Sequence, residues 1–205
     1  MQVEDRNDIP RIINELKTLK ELKIEIGVFG SDDSLISKIA TVHEFGATIK
    51  PKNVEYLTIP SKHAKGRKAR EIQGLYRPIG RGRKPLNILV VNGGPEPNQY
   101  GNTVMFYLSK GVKIPERSYF RSTFDENANE WSDYALGLVD KILNGTETAR
   151  GVAEKLGARI QRDVQRTIRE LSSPSNAPVT VARKGTDNPL IDTGRLRQSV
   201  TYRVV

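Results

Sequence analysis

The sequence has no cysteine, only two histidines, and aromatic residues at just 6% of its 205 positions. Without cysteine there is no disulfide framework, no thiolate metal site and no thiol nucleophile, and two histidines supply too few ligands for a His-rich metal cage. No apolar run approaches the roughly 18 residues of a membrane span. The opening Met1-Gln2-Val3-Glu4-Asp5-Arg6 is polar, so the chain is expected to be soluble and made in a cytoplasm. No glycine-rich loop is followed by Lys-Ser/Thr, which leaves nucleoside triphosphate binding without support. What the chain has in excess is positive charge. Lys and Arg number 33 against 24 Asp and Glu, a formal net charge of +9. A basic chain points to nucleic acid or an acidic protein only where the charge gathers on one surface.

Apolar spacing sets the expected elements. Ile9, Ile12, Ile13, Leu16 and Leu19 predict a helix over 9–22, with Asp8 as its cap and Pro10 in its first turn. Alternation of Ile24, Ile26 and Val28 predicts a strand over 23–29, ended by the turn Gly30-Ser31-Asp32-Asp33-Ser34. A short helix carrying Ile36, Ile39, Ala40 and His43 should end at Gly46 in a left-handed cap. Residues 47–113 are rich in Pro, Gly and basic residues around three strand-like runs, 56–60, 86–91 and 103–108. They predict an extended β arm without a globular core of its own, inserted at 51–113 into one domain spanning 1–205. Two long helices follow. The first should bury Tyr119, Phe120, Phe124, Trp131, Tyr134, Leu138 and Ile142. The second should bury a stripe from Ala149 to Leu171, with Arg159, Arg162, Arg166 and Arg169 elsewhere on it. Residues 199–204 alternate as a closing strand. The expected class is α+β: a small mixed sheet packed with two long helices, plus a protruding basic hairpin-type arm.

Several motifs invite catalytic readings. His43-Glu44 starts like a zincin helix, but position i+4 is Ala47, beyond a helix-ending glycine. A part-buried histidine donating to a backbone carbonyl is expected instead, with no metal. Leu190-Ile191-Asp192-Thr193-Gly194 is similar to the active-site loop of a retroviral-type aspartic protease, in which two carboxylates share a proton across a dimer. Long helices precede it and little chain follows, so Asp192 is expected to cap the next turn while Gly194 supplies a positive φ. Gly27-Val28-Phe29-Gly30 matches a Gly-x-x-Gly loop but sits at a strand end, where a turn suffices. Asp125, Glu126, Glu130 and Asp133 form an acidic helical face of the kind that is simply solvated.

The basic charge is concentrated. Lys62, Lys65, Arg67, Lys68, Arg70, Arg77, Arg81, Arg83 and Lys84 are opposed within 61–85 only by Glu71, nine minus one giving +8 of the chain's +9. Such a segment repels itself, so it should project into solvent, meet an acidic partner, or face phosphates without sequence readout.

Read together, the ordered motifs resemble a known family. They are Ile26-Gly27-Val28-Phe29-Gly30, then Ala40-Thr41-Val42-His43-Glu44-Phe45-Gly46, then Ile114-Pro115-Glu116-Arg117-Ser118-Tyr119-Phe120-Arg121. A helical pair comes next, followed by Ala182-Arg183-Lys184-Gly185 and Pro189-Leu190-Ile191-Asp192-Thr193-Gly194-Arg195-Leu196-Arg197-Gln198-Ser199-Val200. Over 22–205 this order is similar to the neck and tail-completion proteins of tailed bacteriophages, also called minor tail, head-tail joining or virion morphogenesis proteins. The resemblance implies a structural virion protein without enzymatic activity or cofactor, present in the neck or tail and in the host cytoplasm during assembly. It implies a homo-oligomeric ring of six or twelve copies between a head connector or stopper and a tail terminator or tube. DNA would pass along the ring axis, giving the basic arm a non-specific contact with it, and no membrane is involved. It also implies structural or assembly roles for His43, Glu44, Phe45, Gly46, Ile114, Pro115, Arg117, Phe120, Lys184, Gly185, Pro189, Leu190, Asp192, Thr193, Gly194, Leu196 and Ser199. A homodimeric aspartic protease using Asp192 and a DNA-backbone-binding module acting through 62–84 remain as alternatives.

Overall fold

A computed structural model describes residues 8–30 and 33–205. The polar start and two positions of the 30–34 turn, Ser31 and Asp32, lie outside the described residues. Thirteen elements follow in chain order. They are α1 (Ile9–Glu21), β1 (Ile24–Gly27), α2 (Ser34–Phe45), β2 (Ala47–Ile49), β3 (Leu57–Pro60), β4 (Ile88–Asn92), β5 (Asn102–Ser109) and β6 (Val112–Ile114). The remainder are α3 (Tyr119–Leu143), α4 (Ala149–Glu170), α5 (Pro178–Lys184), α6 (Arg195–Ser199) and β7 (Thr201–Val204), with three single-turn 3-10 helices between β3 and β4. The class is α+β. No helix among the described residues is long and apolar enough to cross a membrane.

The expected single mixed sheet is not formed. Three separate antiparallel sheets take its place: β1 with β7, β2 with β6, and β3-β5-β4. Each is too small to shield two faces, so each leans on something else. The β1–β7 ribbon lies on α4, where Gly157 leaves room for the Tyr202 ring; a Cβ there would stand 2.5 Å from a ring carbon. Gln161 and Gln165 of α4 both donate to the Val200 carbonyl, at 3.0 and 3.2 Å, fixing the point where α6 hands over to β7. Residue 199 therefore ends a helix, and the closing strand begins only at Thr201.

The main core joins α2, α3, α4 and α6 through Ile36, Ala40, Tyr119, Val164, Ile168, Leu190, Leu196 and Val200. A second cluster, Leu138, Ile142 and Val152 with Leu19 and Tyr134, seals the other end of the α3–α4 hairpin beneath α1. The Glu15 carboxylate accepts from the Ala149 N–H at 2.6 Å, capping α4 from α1. Asp8 occupies the cap position of α1, but its side chain makes no cap bond. Phe124, placed inside by its spacing, is instead 61% exposed. The inward positions of that turn are Thr123 and Asn127, because Thr123 reaches Thr167 across the hairpin at 2.6 Å.

Residues 47–113 are not a coreless arm. β5 buries Thr103, Met105 and Phe106, and the turns at 62–72 fold over the sheet so that Ala64, Ala69, Ile72 and Leu75 join Met105, Phe106, Leu89 and Val91 in a small cluster. The result is a compact lobe whose two connections to the body are zipped together, because β2 leads into it and β6 leads out.

Candidate functional site

The β2–β6 pairing has a direct consequence for the motifs. Ala47 sits opposite Ile114, so His43-Glu44-Phe45-Gly46 and Ile114-Pro115-Glu116-Arg117, some 70 positions apart in the chain, meet at one junction. Gly46 is needed there twice over. Its φ of +69° suits glycine, and a Cβ would stand 2.9 Å from the Glu116 backbone nitrogen. Its ψ of 167° makes it an extended glycine turn rather than the expected left-handed cap.

Glu44 is 5% exposed and sits under the start of α3. Its carboxylate accepts from the backbone N–H groups of Tyr119, Phe120 and Arg121 at 2.9, 3.0 and 3.2 Å. It also accepts from the Ser118 hydroxyl at 2.9 Å and from Arg121 Nε at 3.1 Å. The N–H groups left over at a helix start are thus bound by a carboxylate from another helix, at the positive end of the macrodipole. Burial alone would raise the Glu44 pKa; the bonds from Phe120, Arg121 and Ser118 outweigh it and hold the carboxyl below its usual value.

Arg117 is 4% exposed. Nε donates to the Pro174 carbonyl at 2.8 Å and one terminal nitrogen to the Ser175 carbonyl at 3.0 Å, while the other lies 3.4 Å from His43 Nδ1. Its backbone N–H donates to the His43 carbonyl at 2.7 Å. One guanidinium therefore ties the 172–178 segment to the end of α2. Burial lowers its pKa, and burial followed by the charges of Arg117 and Lys184 drives that of His43 down to about 4. His43 is therefore neutral at pH 7. Set against a guanidinium, its Nδ1 is placed to accept, which leaves the ring proton on Nε2.

A cleft of about 550 Å³ opens beside this junction, lined by His43, Ile114, Pro115, Arg117, Lys184, Pro189, Leu190, Asp192, Thr193, Gly194 and Leu196 among others. Both halves of the motif set thus share one cleft. Gly185 ends α5 at φ 75° and Lys184 Nζ donates to the Asn188 carbonyl at 2.9 Å. The Ser199 hydroxyl donates to Leu196 O. Phe120 packs against Tyr119 with ring centroids 4.9 Å apart, and Phe45 lies exposed under the Arg121 guanidinium. Asp192 is exposed and does not cap the following helix. Gly194 holds that position at φ 80°, as expected, and the turn before it is closed by Asn188, whose Oδ1 accepts from the Leu190 and Ile191 N–H groups. In comparisons with protein-family models, curated proteins and solved structures, nothing matches the chain.

The nine basic residues are on the lobe, and none of them lines the cleft. Eight are exposed; Arg77 is half-buried, stacked over Tyr56 and donating to the Leu86 carbonyl at 2.7 Å and Asn87 Oδ1 at 2.9 Å. The motifs gave no notice of Asp163, which is buried in α4 between Arg159 Nε at 3.0 Å, Arg166 at 3.1 Å and Trp131 Nε1 at 2.8 Å. Its signal is the pair of arginines three and four positions away on the same helix. Among the described residues, no three His, Asp or Glu side chains cluster as metal ligands would.

Proposed function

We propose that this chain is a structural, ring-forming component of a tailed-bacteriophage neck or tail, joining head connector to tail, and not an enzyme. The ordered motifs at 26–46, 114–121 and 182–200 carry the family reading, and surface area supports assembly. The chain exposes 13,819 Å², whereas a compact monomer of its 22.9 kDa would expose about 9,600 Å². The nine residues outside the described ones, even if wholly exposed, account for about 1,500 Å². The excess of about 2,700 Å² is of the size that obligate assemblies bury.

The position of the apolar residues agrees with this. α1 has no buried residue; Ile12 and Leu19 are half-covered on one side, while Ile13 and Leu16 stay open. Leu136 is 65% exposed on α3, seven residues before the exposed Leu143. Helix faces of this kind are completed by neighbouring copies in a closed ring. The motif residues act as internal struts in this scheme, holding the lobe and the α3–α4 hairpin in fixed relation so that every copy presents the same surfaces. Light scattering and negative-stain electron microscopy of the purified chain test it. Closed rings of six or twelve copies, or association with isolated tails or connectors, are expected. A strictly monomeric protein that binds neither overturns it.

A further inference from the structure

Seven of the nine cations of the basic stretch are exposed without an ion pair among the described residues. Lys62 pairs with Glu96 at 2.5 Å, and Arg77 is occupied by backbone, Asn87 and Tyr56. The one carboxylate within the stretch, Glu71, accepts from the Lys68 backbone N–H at 2.8 Å and not from a side-chain cation. Lys65, Arg67, Lys68, Arg70, Arg81, Arg83 and Lys84 are exposed and make no ion pair among the described residues.

Three of these seven stand on a preformed tip. Ile79 pairs with Pro85 across a tight antiparallel turn; the Gly80 N–H donates to the Lys84 carbonyl and the Leu86 N–H to the Pro78 carbonyl, both at 2.9 Å. Gly82 and Arg83 take φ values of 80° and 58°, the left-handed geometry of a tight hairpin turn. The backbone thus fixes where Arg81, Arg83 and Lys84 project, so little ordering is left to be done on binding.

We infer that this lobe is a binding site for the phosphate backbone of duplex DNA, with Arg81, Arg83 and Lys84 at the hairpin tip and Lys65, Arg67, Lys68 and Arg70 on the preceding turns as phosphate contacts. Interfaces with proteins mix both signs of charge around buried apolar anchors. Residues 80–84 carry no apolar side chain, with Ile79 and Leu86 beside them 69% and 42% exposed, and seven unpaired cations against the single carboxylate Glu71 match a polymer with one negative charge per roughly 1.7 Å of axis. The Tyr76 hydroxyl is engaged with Asn92 and Asn102, and the contact inferred is to the phosphate backbone, which carries no sequence information. The inference does not rest on ring formation, since a monomer would carry the same site.

Fluorescence anisotropy of the full chain on a labelled duplex of about 30 base pairs and arbitrary sequence, between 50 and 200 mM NaCl, tests it. The plot of log affinity against log salt should fall with a slope of about −6, several-thousand-fold over that range. R81A/R83A/K84A should make the slope shallower by about 2.7, and K17A/K20A/K38A, three exposed lysines of the body, should leave it unchanged. If the first triple variant does not fold, R67A/R70A reads the same quantity with a change of about 1.8. No binding at 50 mM salt, or a slope that neither lobe variant alters, overturns the inference. So does equal competition by polyglutamate at matched charge, which would assign the lobe to an acidic protein instead.

Discussion

Glu44 and Arg117 in the body and Arg81 and Arg83 in the lobe are ionised side chains under opposite regimes. The first two are nearly sealed from water, and each is surrounded by donors or carbonyls placed to suit its charge. The second two face solvent without an ion pair. A buried charge must be matched by its own fold, because an unmatched one costs several kcal/mol, whereas an exposed one costs little and stays available to a partner. Charge in the body therefore serves to hold segments together, and charge in the lobe is open to a ligand.

The contrast breaks most sharply at Glu44. Replacement by Ala strands three backbone N–H groups and the Ser118 hydroxyl, and should cost about 4 kcal/mol in urea unfolding. A loss below about 1 kcal/mol would mean that water substitutes for the carboxylate. Arg117→Leu, which frees the Pro174 and Ser175 carbonyls, should cost about 3 kcal/mol. It should also make the 172–178 segment the first site of limited proteolysis. Gly157→Ala should cost about 2 kcal/mol through overpacking against Tyr202, and a second change, Tyr202→Leu, should recover part of that loss.

The next effect is confined in pH. The folded His43 pKa lies near 4 against an ordinary 6.5. Between these values the unfolded chain binds the extra proton, so stability is full above about pH 6.5 and declines as pH falls toward 4. Arg117 and Lys184 are the cations facing the ring. His43→Asn, which keeps an acceptor toward Arg117 and removes the titration, should flatten the decline over that window. The depressed Glu44 pKa acts in the same direction at lower pH, so the two variants separate the contributions. The smallest expected effect is in the lobe, where R81A/R83A/K84A should change stability by less than about 0.5 kcal/mol while changing DNA binding strongly. A large loss of stability there would erase the contrast between the regions.

Local pattern makes the helices α1, α2, α3 and α4 legible, because an apolar period of about 3.6 residues sustained over three or more turns is the mark of a helix with one buried face. The strand runs in 57–60, 88–92 and 102–109 are legible from their β-branched and aromatic residues bounded by turn clusters. Which strand pairs with which is not. Pairing depends on contacts distant in sequence, so the pattern suggests one mixed sheet where three small antiparallel ones form. The lobe's core is hidden because its covering residues, Ala64, Ala69, Ile72 and Leu75, lie inside the most basic stretch and show no regular period. His43-Glu44 is visible as a motif, but its physics is not. A carboxylate capping a helix that starts 75 positions later leaves no local trace.

The sequence by itself determined the α+β class, the long helices and the confinement of nearly all net charge to 62–84, since these follow from composition and short-range period. Only the tertiary structure decided that the two halves of the motif set share one cleft, that Glu44 and Arg117 are struts, and that the basic stretch is a folded lobe with a fixed hairpin tip. The physical reason is the β2–β6 pairing. Two three-residue strands, each too short to be distinctive, close a long loop and thereby bring together everything that flanks it.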